Sequence, residues 1–153
     1  MPPIIRLYKP EDFNDITRLW FDAQTVIMPE MMKRMGHKLE DAREFFQRAV
    51  VGECQIWVYE QDGIPLGFLA IHGDFIDRLY VHPAHHRQGI GQALLMKARQ
   101  LLPKHMWLYT HAANKIARAF YEKNGFVAEK FGVSPGPESE PDVEYHWRAK
   151  QVR

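Results

Sequence analysis

Residues 79–95 read LYVHPAHHRQGIGQALL, an aliphatic strand end that leads through two closely spaced glycines into a helical pattern. Gly89 and Gly91 stand at the start of that helix, although glycine loses more backbone entropy on folding than other residues and is a poor helix former. A helix N-terminus that follows a strand presents unpaired N–H groups and the positive end of the helix dipole. Glycines there let a phosphate approach the backbone, so the stretch predicts an anion site to which Arg87 adds charge. The alternative is that the glycines only make a tight strand-to-helix connection.

Strand and helix patterns on both sides of this stretch predict a mixed α/β fold with helices on both faces of the sheet. The predicted strands are Ile4–Tyr8, Gln55–Glu60, Leu66–His72, Phe75–Val81, Met106–His111, Phe126–Phe131 and Val143–Trp147. The predicted helices begin near Pro10, Leu39, Gly89 and Asn114, while Val26–Lys38 is expected to be irregular because Pro29 and Gly36 interrupt it. Phe75–Val81, its following helix and Met106–His111 form a βαβ unit, so we expect these two strands to be parallel.

Length and composition restrict the class of protein. A chain of 153 residues with 46% hydrophobic and 25% charged residues fits one globular domain spanning residues 1–153. The formal net charge of +1 gives no polycation that would indicate nucleic acid or an anionic membrane as partner. One cysteine excludes an internal disulfide, and the N-terminus lacks a signal-peptide pattern, so we expect a cytoplasmic protein.

Two common nucleotide-binding motifs do not fit the glycine stretch. The dinucleotide fingerprint needs a third glycine or alanine where Leu94 stands. A phosphate-binding P-loop needs Gly-Lys-Ser/Thr, but Gln92 follows Gly91. The phosphate ligand therefore belongs to another class.

Residues 79–95, together with NKIARAFYEKNGF at residues 114–126, resemble the GNAT superfamily of acyl-CoA-dependent N-acetyltransferases. The first segment is similar to the family's acyl-CoA loop, Arg/Gln-x-x-Gly-x-Gly/Ala, and departs from it at His86. The second is similar to Asn-x-x-Ala-x-x-Phe-Tyr-x-x-x-Gly-Phe at every stated position. The resemblance implies a largely antiparallel sheet with a central, splayed parallel strand pair, and it covers nearly the whole chain.

The resemblance also implies acetyl-CoA as the cofactor and coenzyme A as a product. It places the pyrophosphate against the backbone amides of Arg87, Gln88, Gly89, Gly91 and Gln92. The pantetheine arm would pair with the backbone of Leu79 and Val81, as an added strand would. Asn114 would hydrogen-bond that arm, and an N-cap of the following helix is an alternative role compatible with the first.

Tyr121 is the strongest candidate for a catalytic residue. Attack of an amine on a thioester expels a thiolate, and a nearby phenol can protonate it. A tyrosine pKa near 10 keeps the proton in place at neutral pH. The alternative is that Tyr121 only continues the aromatic stripe to which Phe120 belongs.

Asp77 is the candidate for the group that takes the proton of the acceptor ammonium. It lies on the strand Phe75–Val81, near the expected splay, where some relatives carry a base. A solvent-facing residue or an ion pair with Arg78 is an equally weighted alternative. Glu144, His146 and His111 are further candidates, and a chain of water molecules would serve as well.

The predicted function is transfer of an acetyl group from acetyl-CoA to a primary amine by direct attack. Two alternatives stay open: a non-catalytic acyl-CoA sensor, and an enzyme that modifies a protein or peptide amine instead of a small molecule. The segments that would select the acceptor, Met28–Lys38 and Val133–Asp142, match no motif. His82, His85 and His86 cluster without a metal-ligand spacing, so no metal is expected. A homodimer through the C-terminal strand is possible.

Overall fold

The computed structural model describes residues 2–150, whose seven strands form one sheet in the order β1-β2-β3-β4-β5-β7-β6. The strands are β1 Ile4–Leu7, β2 Gln55–Gln61, β3 Ile64–His72, β4 Phe75–Val81, β5 His105–His111, β6 Val127–Val133 and β7 Pro141–Arg148. The helices are α1 Phe13–Ile27, α2 Pro29–Met35, α3 Leu39–Phe45, α4 Ile90–Leu101 and α5 Lys115–Lys123.

The predicted sheet is confirmed in its pairing. Five of the six neighbouring pairs are antiparallel, and β4 runs parallel to β5. The crossover between these two strands contains α4, as a parallel connection requires. The observed architecture is therefore a mixed, mostly antiparallel sheet with one parallel pair near its centre.

Two hydrophobic clusters cover opposite faces of the sheet. One is formed by α4 and α5 over β3, β5 and β7, with Leu94, Leu95 and Tyr145 at its centre. The other is formed by α1, α3 and the following turn over β2 and β3, with Phe46 and Phe68 in edge contact. The prediction of helices on both faces is confirmed.

The segment Val26–Lys38, predicted to be irregular, is largely helical. Pro29 begins α2, because proline at the first helical position lacks only an N–H that would have no partner there. Gly36, with a φ of +64°, ends the helix in the left-handed conformation. Met31 and Met32 are buried, which assigns them to the core instead of to an exposed methionine surface.

Other boundaries also differ from the prediction. The predicted helix Leu39–Val50 is α-helical only to Phe45, after which Phe46–Val51 form a π-helical turn. Strands β6 and β7 extend further than predicted, which shortens their connection to residues 134–140. That connection is here called the β6–β7 loop.

The pairing of β4 with β5 is confined to one end. Phe75 and Trp107 are the one register pair that joins the two strands. The register of β4 against β3 also shifts between Ala70 and Ile71, which leaves Asp77 as an extra residue in β4. A bulge of this kind bends a strand and redirects its side chains. Beyond Phe75, β4 and β5 therefore diverge and leave an opening in the middle of the sheet, here called the β4–β5 gap.

Candidate active site

The β4–β5 gap lies next to the N-terminus of α4. Strand β4 ends at Val81, and a short turn leads to Gly89, the N-cap of α4. The helix closes its first backbone hydrogen bond from Ala93 N–H to the Gly89 carbonyl, at 3.0 Å. The N–H groups of residues 90–92 consequently have no partner within the helix. This end of the gap therefore has the unpaired donors that an anion site needs.

The glycine loop, residues 86–92, has the backbone that such a site needs. Arg87 and Gly89 both adopt the left-handed region, with φ values of +64° and +81°. A side chain at Gly89 would meet no atom within 4 Å, so the space over this residue is open. At Gly91 a side chain would lie 3.6 Å from Phe120. The loop therefore fits a phosphate group held by backbone N–H donors.

Histidine side chains in the glycine loop and in the turn before it make contacts that fix the conformation of this segment. His86, which departs from the family pattern, contacts the Val81 carbonyl through Nε2 at 3.1 Å. His85 contacts the Gln88 amide oxygen at 3.2 Å, and His82 accepts from Ala84 N–H at 3.1 Å. Three histidines predicted to be solvated loop residues thus have structural contacts.

Tyr121 lies on α5 with its ring inside the cluster formed by α4 and α5. Its side chain is 7% exposed and packs edge-on against Phe120 and Phe126. Burial raises the pKa of Tyr121 above its ordinary value, and the nearby Tyr80 adds to the effect. Leu79 and Val81 of β4 pack against the same cluster, so the Tyr121 ring lies on the α4–α5 side of the sheet, near the strand that borders the β4–β5 gap.

Helix α5 is fixed at several points along its length. Asn114 caps its N-terminus by accepting from Ala117 N–H at 3.1 Å, the role foreseen as the alternative to cofactor binding. Arg118 donates to the Tyr145 hydroxyl at 3.0 Å. Gln92 on α4 donates to Asn124 at the other end, at 2.9 Å. These contacts set the position of the Tyr121 ring relative to the gap.

Asp77 and Arg78 project toward the same face of the sheet because Asp77 is the bulge residue. The Arg78 guanidinium lies over the rings of Trp20 and Phe45, 4.9 Å and 5.2 Å from their centroids. Its Nε is 3.9 Å from Asp77 Oδ2, so the predicted ion pair with Arg78 is present as a loose contact. Asp77 thus lies near the point where β4 leaves β5, with its carboxylate partly engaged.

Cys54 is a neighbour of Asp77 that the sequence did not indicate. Its thiol donates to Asp77 Oδ2 at 3.5 Å, from a position just before β2. Burial, together with the charge of Asp77 and this hydrogen bond, raises the pKa of Cys54 to about 12. At neutral pH this residue is therefore a thiol and not a nucleophilic thiolate.

The two segments expected to select the acceptor contact each other. Arg34 on α2 donates to the Glu138 carbonyl at 2.6 Å and to Glu140 Oε1 at 2.7 Å. His111, at the end of β5, lies 3.6 Å from Glu138 Oε1. Trp20 is buried beneath Arg78. The β6–β7 loop is therefore held against α2, a bridge that no sequence pattern indicated.

The described residues contain neither a cluster of metal-ligand side chains nor a helix that could span a membrane. In the range 2–150 no group of three or more histidine, cysteine, aspartate or glutamate side chains is arranged to hold a metal ion. Within the same described range, none of the helices has the length and apolar character needed to cross a bilayer.

Comparison with known proteins agrees with this geometry. The sequence profile of the acetyltransferase (GNAT) family matches residues 14–126. The chain belongs to the GNAT acetyltransferase family. The GNAT chain is 32% identical over 124 residues to the peptidyl-lysine N-acetyltransferase YiaC of Escherichia coli (strain K12), a match that covers 80% of this chain and 82% of that protein.

Solved structures share the fold. A GCN5-related N-acetyltransferase from Rhodopseudomonas palustris is similar with a TM-score of 0.81 and 22% identity, over 97% of this chain and 96% of that one. The PaiA N-acetyltransferase of Thermoplasma acidophilum, solved in complex with coenzyme A, is similar with a TM-score of 0.66 and 24% identity, over 97% and 99%. The predictions of the family, the fold and an N-acetyltransferase activity are confirmed.

The thiol environment of Cys54 gives a direct check on the site. At pH 8 a thiol with a pKa of about 12 is ionised about 10³-fold less than an ordinary cysteine, so we expect it to react with a thiol reagent at least that much more slowly. Asp77→Asn should speed the reaction, since it removes the negative charge beside the sulfur. The rate is measured with a disulfide reagent, and Cys54 alone gives the signal because the chain has one cysteine.

Two controls make this measurement specific. Glu53→Gln removes the adjacent charge, which has the smallest influence on the thiol, and should change the rate much less than Asp77→Asn. The unfolded protein should react at the rate of free cysteine. Equal rates for the wild type and Asp77→Asn would show that the Cys54–Asp77 contact does not exist in solution.

Proposed function

We propose that this GNAT enzyme transfers the acetyl group of acetyl-CoA to a primary amine at the end of a lysine side chain in a peptide or protein. The observation that carries the proposal is the β4–β5 gap, which opens at the N-terminus of α4 and borders Tyr121 and Asp77. In this arrangement a phosphate-bearing ligand held at the glycine loop can extend its reactive end between the two strands.

The glycine loop supplies the cofactor contacts in the proposal. The N–H groups of residues 90–92, together with Arg87 and Gln88, would hold the pyrophosphate. The backbone of Leu79 and Val81, on the side of β4 that no longer pairs with β5, would bind the pantetheine amides as a strand would. Asn114 would contact the same arm from the start of α5. Acetyl-CoA supplies the acetyl thioester when it is bound.

Tyr121 is proposed as the proton donor to the leaving sulfur. Its raised pKa means that the phenol keeps its proton throughout the range in which the enzyme works. A buried hydroxyl at a fixed position also costs little to align when charge develops nearby. Removal of the hydroxyl should therefore reduce the rate of the chemical step and not the binding of the cofactor.

Asp77 is proposed as the carboxylate that meets the acceptor ammonium beside the thioester. Its half-buried position near the start of the gap would attract a cation and orient the nitrogen for attack. The raised pKa of Cys54 favours direct attack by the amine, because an acetyl-cysteine route would need a thiolate. Whether Asp77 also takes the proton is a separate question.

The acceptor class rests on likeness. A relative with 32% identity is named a peptidyl-lysine N-acetyltransferase, which supports a lysine side chain as acceptor. The bridge from Arg34 to the β6–β7 loop favours a second candidate, a small free amine that the closed cleft would enclose.

The glycine loop can be tested by substitution. Gly89→Asp should weaken acetyl-CoA binding by at least about 100-fold, because a carboxylate would face the phosphates and like charges in contact cost several kcal/mol. Isothermal titration calorimetry measures this affinity.

A matched control is available in the β2–β3 turn. Gly63 also has a positive φ, +78°, and a Cβ there likewise meets no atom within 4 Å. Gly63→Asp thus introduces the same residue into a similar backbone conformation outside residues 86–92, and should leave binding unchanged. Equal affinities for wild type and a folded Gly89→Asp variant would refute the proposed cofactor site.

Tyr121→Phe should lower kcat about 10- to 100-fold, near the lower end of the contribution of a positioned acid, because water can substitute in part. The dissociation constant of acetyl-CoA should stay close to that of the wild type. Steady-state kinetics and calorimetry separate the two effects. Tyr59, a buried tyrosine of the same cluster, provides the control: Tyr59→Phe should leave kcat unchanged. An equal loss of activity in both variants would show that Tyr121 contributes only to packing.

The acceptor is identified by measuring coenzyme A release. A peptide with one lysine and a blocked N-terminus should give a kcat/KM at least about tenfold above that of free lysine or a linear polyamine, as added binding contacts predict. Arg34→Gln should raise activity on the peptide further by weakening the bridge across the cleft. Activity on the polyamine alone would favour the small-amine candidate, and no release with any acceptor would contradict the proposed function.

A further inference from the structure

Four side chains form a continuous hydrogen-bonded chain on the sheet face opposite α4 and α5. Asp74 Oδ2 contacts His105 Nδ1 at 2.8 Å, His105 Nε2 contacts His146 Nδ1 at 2.9 Å, and His146 Nε2 contacts Glu144 Oε2 at 2.8 Å. The two imidazole rings are stacked 5.1 Å apart, and the ring of Trp107 stacks on His146 at 5.6 Å. This set of four residues is here called the histidine chain.

The contacts limit how many protons the histidine chain can hold. A hydrogen bond between two imidazole nitrogens needs one proton between them, and each outer ring nitrogen needs a proton to donate to its carboxylate. The three links are all satisfied when the two rings together hold three protons, one more than two neutral imidazoles carry. Without that third proton, lone pairs face each other in one link. The chain is therefore built to accept one proton.

Some charged groups around the histidine chain favour a positive charge on the two rings, and others oppose it. Asp74 and Glu144 each have a pKa held below the usual range, chiefly by their hydrogen bonds to His105 and His146, so both ends stay negative and favour protonation of the rings. Glu129 on β6 adds a third negative charge, although Arg148 neutralises most of it. Lys130 and Arg148 oppose a positive charge on the rings, and Arg148 Nη2 lies 3.4 Å from His146 Nδ1. The rings therefore contact two carboxylates and one guanidinium.

The chain ends near the β4–β5 gap. Two residues beyond the register pair Phe75–Trp107 come Asp77 on β4 and Tyr109 on β5, at the point where the strands separate. Tyr109 is the register partner of Glu144 across β5 and β7, and burial together with a hydrogen bond to Glu144 raises the pKa of Tyr109. Glu144 therefore lies beside Tyr109, one strand away from the gap. The Glu144 and His146 side chains are 20% and 12% exposed, whereas Asp74 at the other end is 54% exposed, so the chain runs from beside Tyr109 to solvent.

We propose that His105 and His146 take up the proton that the acceptor ammonium loses, with Glu144 as the end of the histidine chain that faces the acceptor. An N–H bond of the ammonium breaks, its electron pair becomes the lone pair that attacks the thioester carbonyl, and the proton adds to the Glu144–His146 end. The two rings then hold three protons, and the extra one returns to water before the next turnover. The inference rests on the proposed acetyl transfer to an amine, and it assigns the base that Asp77 was expected to supply.

Kinetics as a function of pH test the proposal with an acceptor that the wild type uses. His146→Gln keeps an amide N–H for Glu144 but cannot take a proton, and His105→Gln breaks the chain one ring further away. Both should lower kcat/KM at least about tenfold near pH 8, where an amine acceptor is still mostly ammonium, because a positioned base contributes about 10²–10⁴-fold and water replaces part of it. Near pH 10 the amine is largely neutral without help, so the variants should approach the wild type. His72→Gln, at an exposed position at the end of β3, is the control.

Asp77→Asn distinguishes the two carboxylates. If the histidine chain is the base, this variant should raise KM for the acceptor with little change in kcat or in the pH dependence. A lost acid limb in Asp77→Asn together with a wild-type profile in His146→Gln would overturn the proposal. A loss of activity by the same factor at every pH in the histidine variants, with a lowered melting temperature, would also overturn it by showing a structural role.

A measurement independent of activity completes the test. In ¹⁵N-labelled protein, the shared proton should produce a scalar coupling between His105 Nε2 and His146 Nδ1 across their hydrogen bond, and the two rings should titrate as a linked pair. Absence of the coupling, with each ring titrating separately, would overturn the proposal. If the wild type itself releases no coenzyme A with any amine, the proposed function fails, and the coupling still reports on the chain.

Discussion

The separation of β4 from β5 is the constraint on which the rest of the structure depends. A parallel pair in the middle of a sheet would ordinarily bond along its whole length, yet here one register pair joins the strands and the backbone groups beyond it lose their partners. Backbone groups that are shielded from water need hydrogen bonds. A bound chain with amide groups of its own would supply the missing pairing, which supports the proposal that the gap binds the cofactor.

Helix α4 and the bulge in β4 give the gap its two different ends. At the wide end, the turn after Val81 delivers the N-terminus of α4, whose free N–H groups suit an anion. At the narrow end, the extra residue Asp77 lets two consecutive side chains face the same side of the sheet. A regular strand would have sent Asp77 and Arg78 to opposite faces. The bulge thus brings a carboxylate, a guanidinium and the Cys54 thiol together near the place where the strands part.

The sequence predicted local features of the site well because they depend on short segments. The glycines at 89 and 91, the cap at Asn114 and the aromatic pair Phe120–Tyr121 each lie within one element, where spacing reports geometry directly. The error at Val26–Lys38 has the same local origin: Pro29 was read as a break, but proline is favoured at the first position of a helix. A proline marks a helix boundary, but it does not indicate whether the helix lies before or after it.

Contacts between distant segments could not be predicted. Cys54 meets Asp77 because β2 and β4 flank β3, and Arg34 reaches Glu140 across 106 positions of sequence. The link between His105 and His146 requires the register of β5 against β7, which pairs Trp107 with His146. The sequence offers Glu144 and His146 as separate candidate bases. The positions of His105 and His146 in the sequence do not indicate that the two imidazoles would share a proton. Sequence pattern fixes the face of each strand, whereas register decides which side chains meet.

The arrangement keeps the two proton-transfer groups on opposite sides of the sheet. Tyr121 belongs to the cluster under α4 and α5, while the histidine chain lies on the other face, beyond Tyr109. A phenol that must stay protonated and a base that must be free to accept would interfere with each other if they shared a hydrogen bond. The strands between them prevent that contact everywhere except at the β4–β5 gap. On the proposed assignments, the opening in the sheet would admit the cofactor and would also let an acid on one face and a base on the other act on the same reacting atoms.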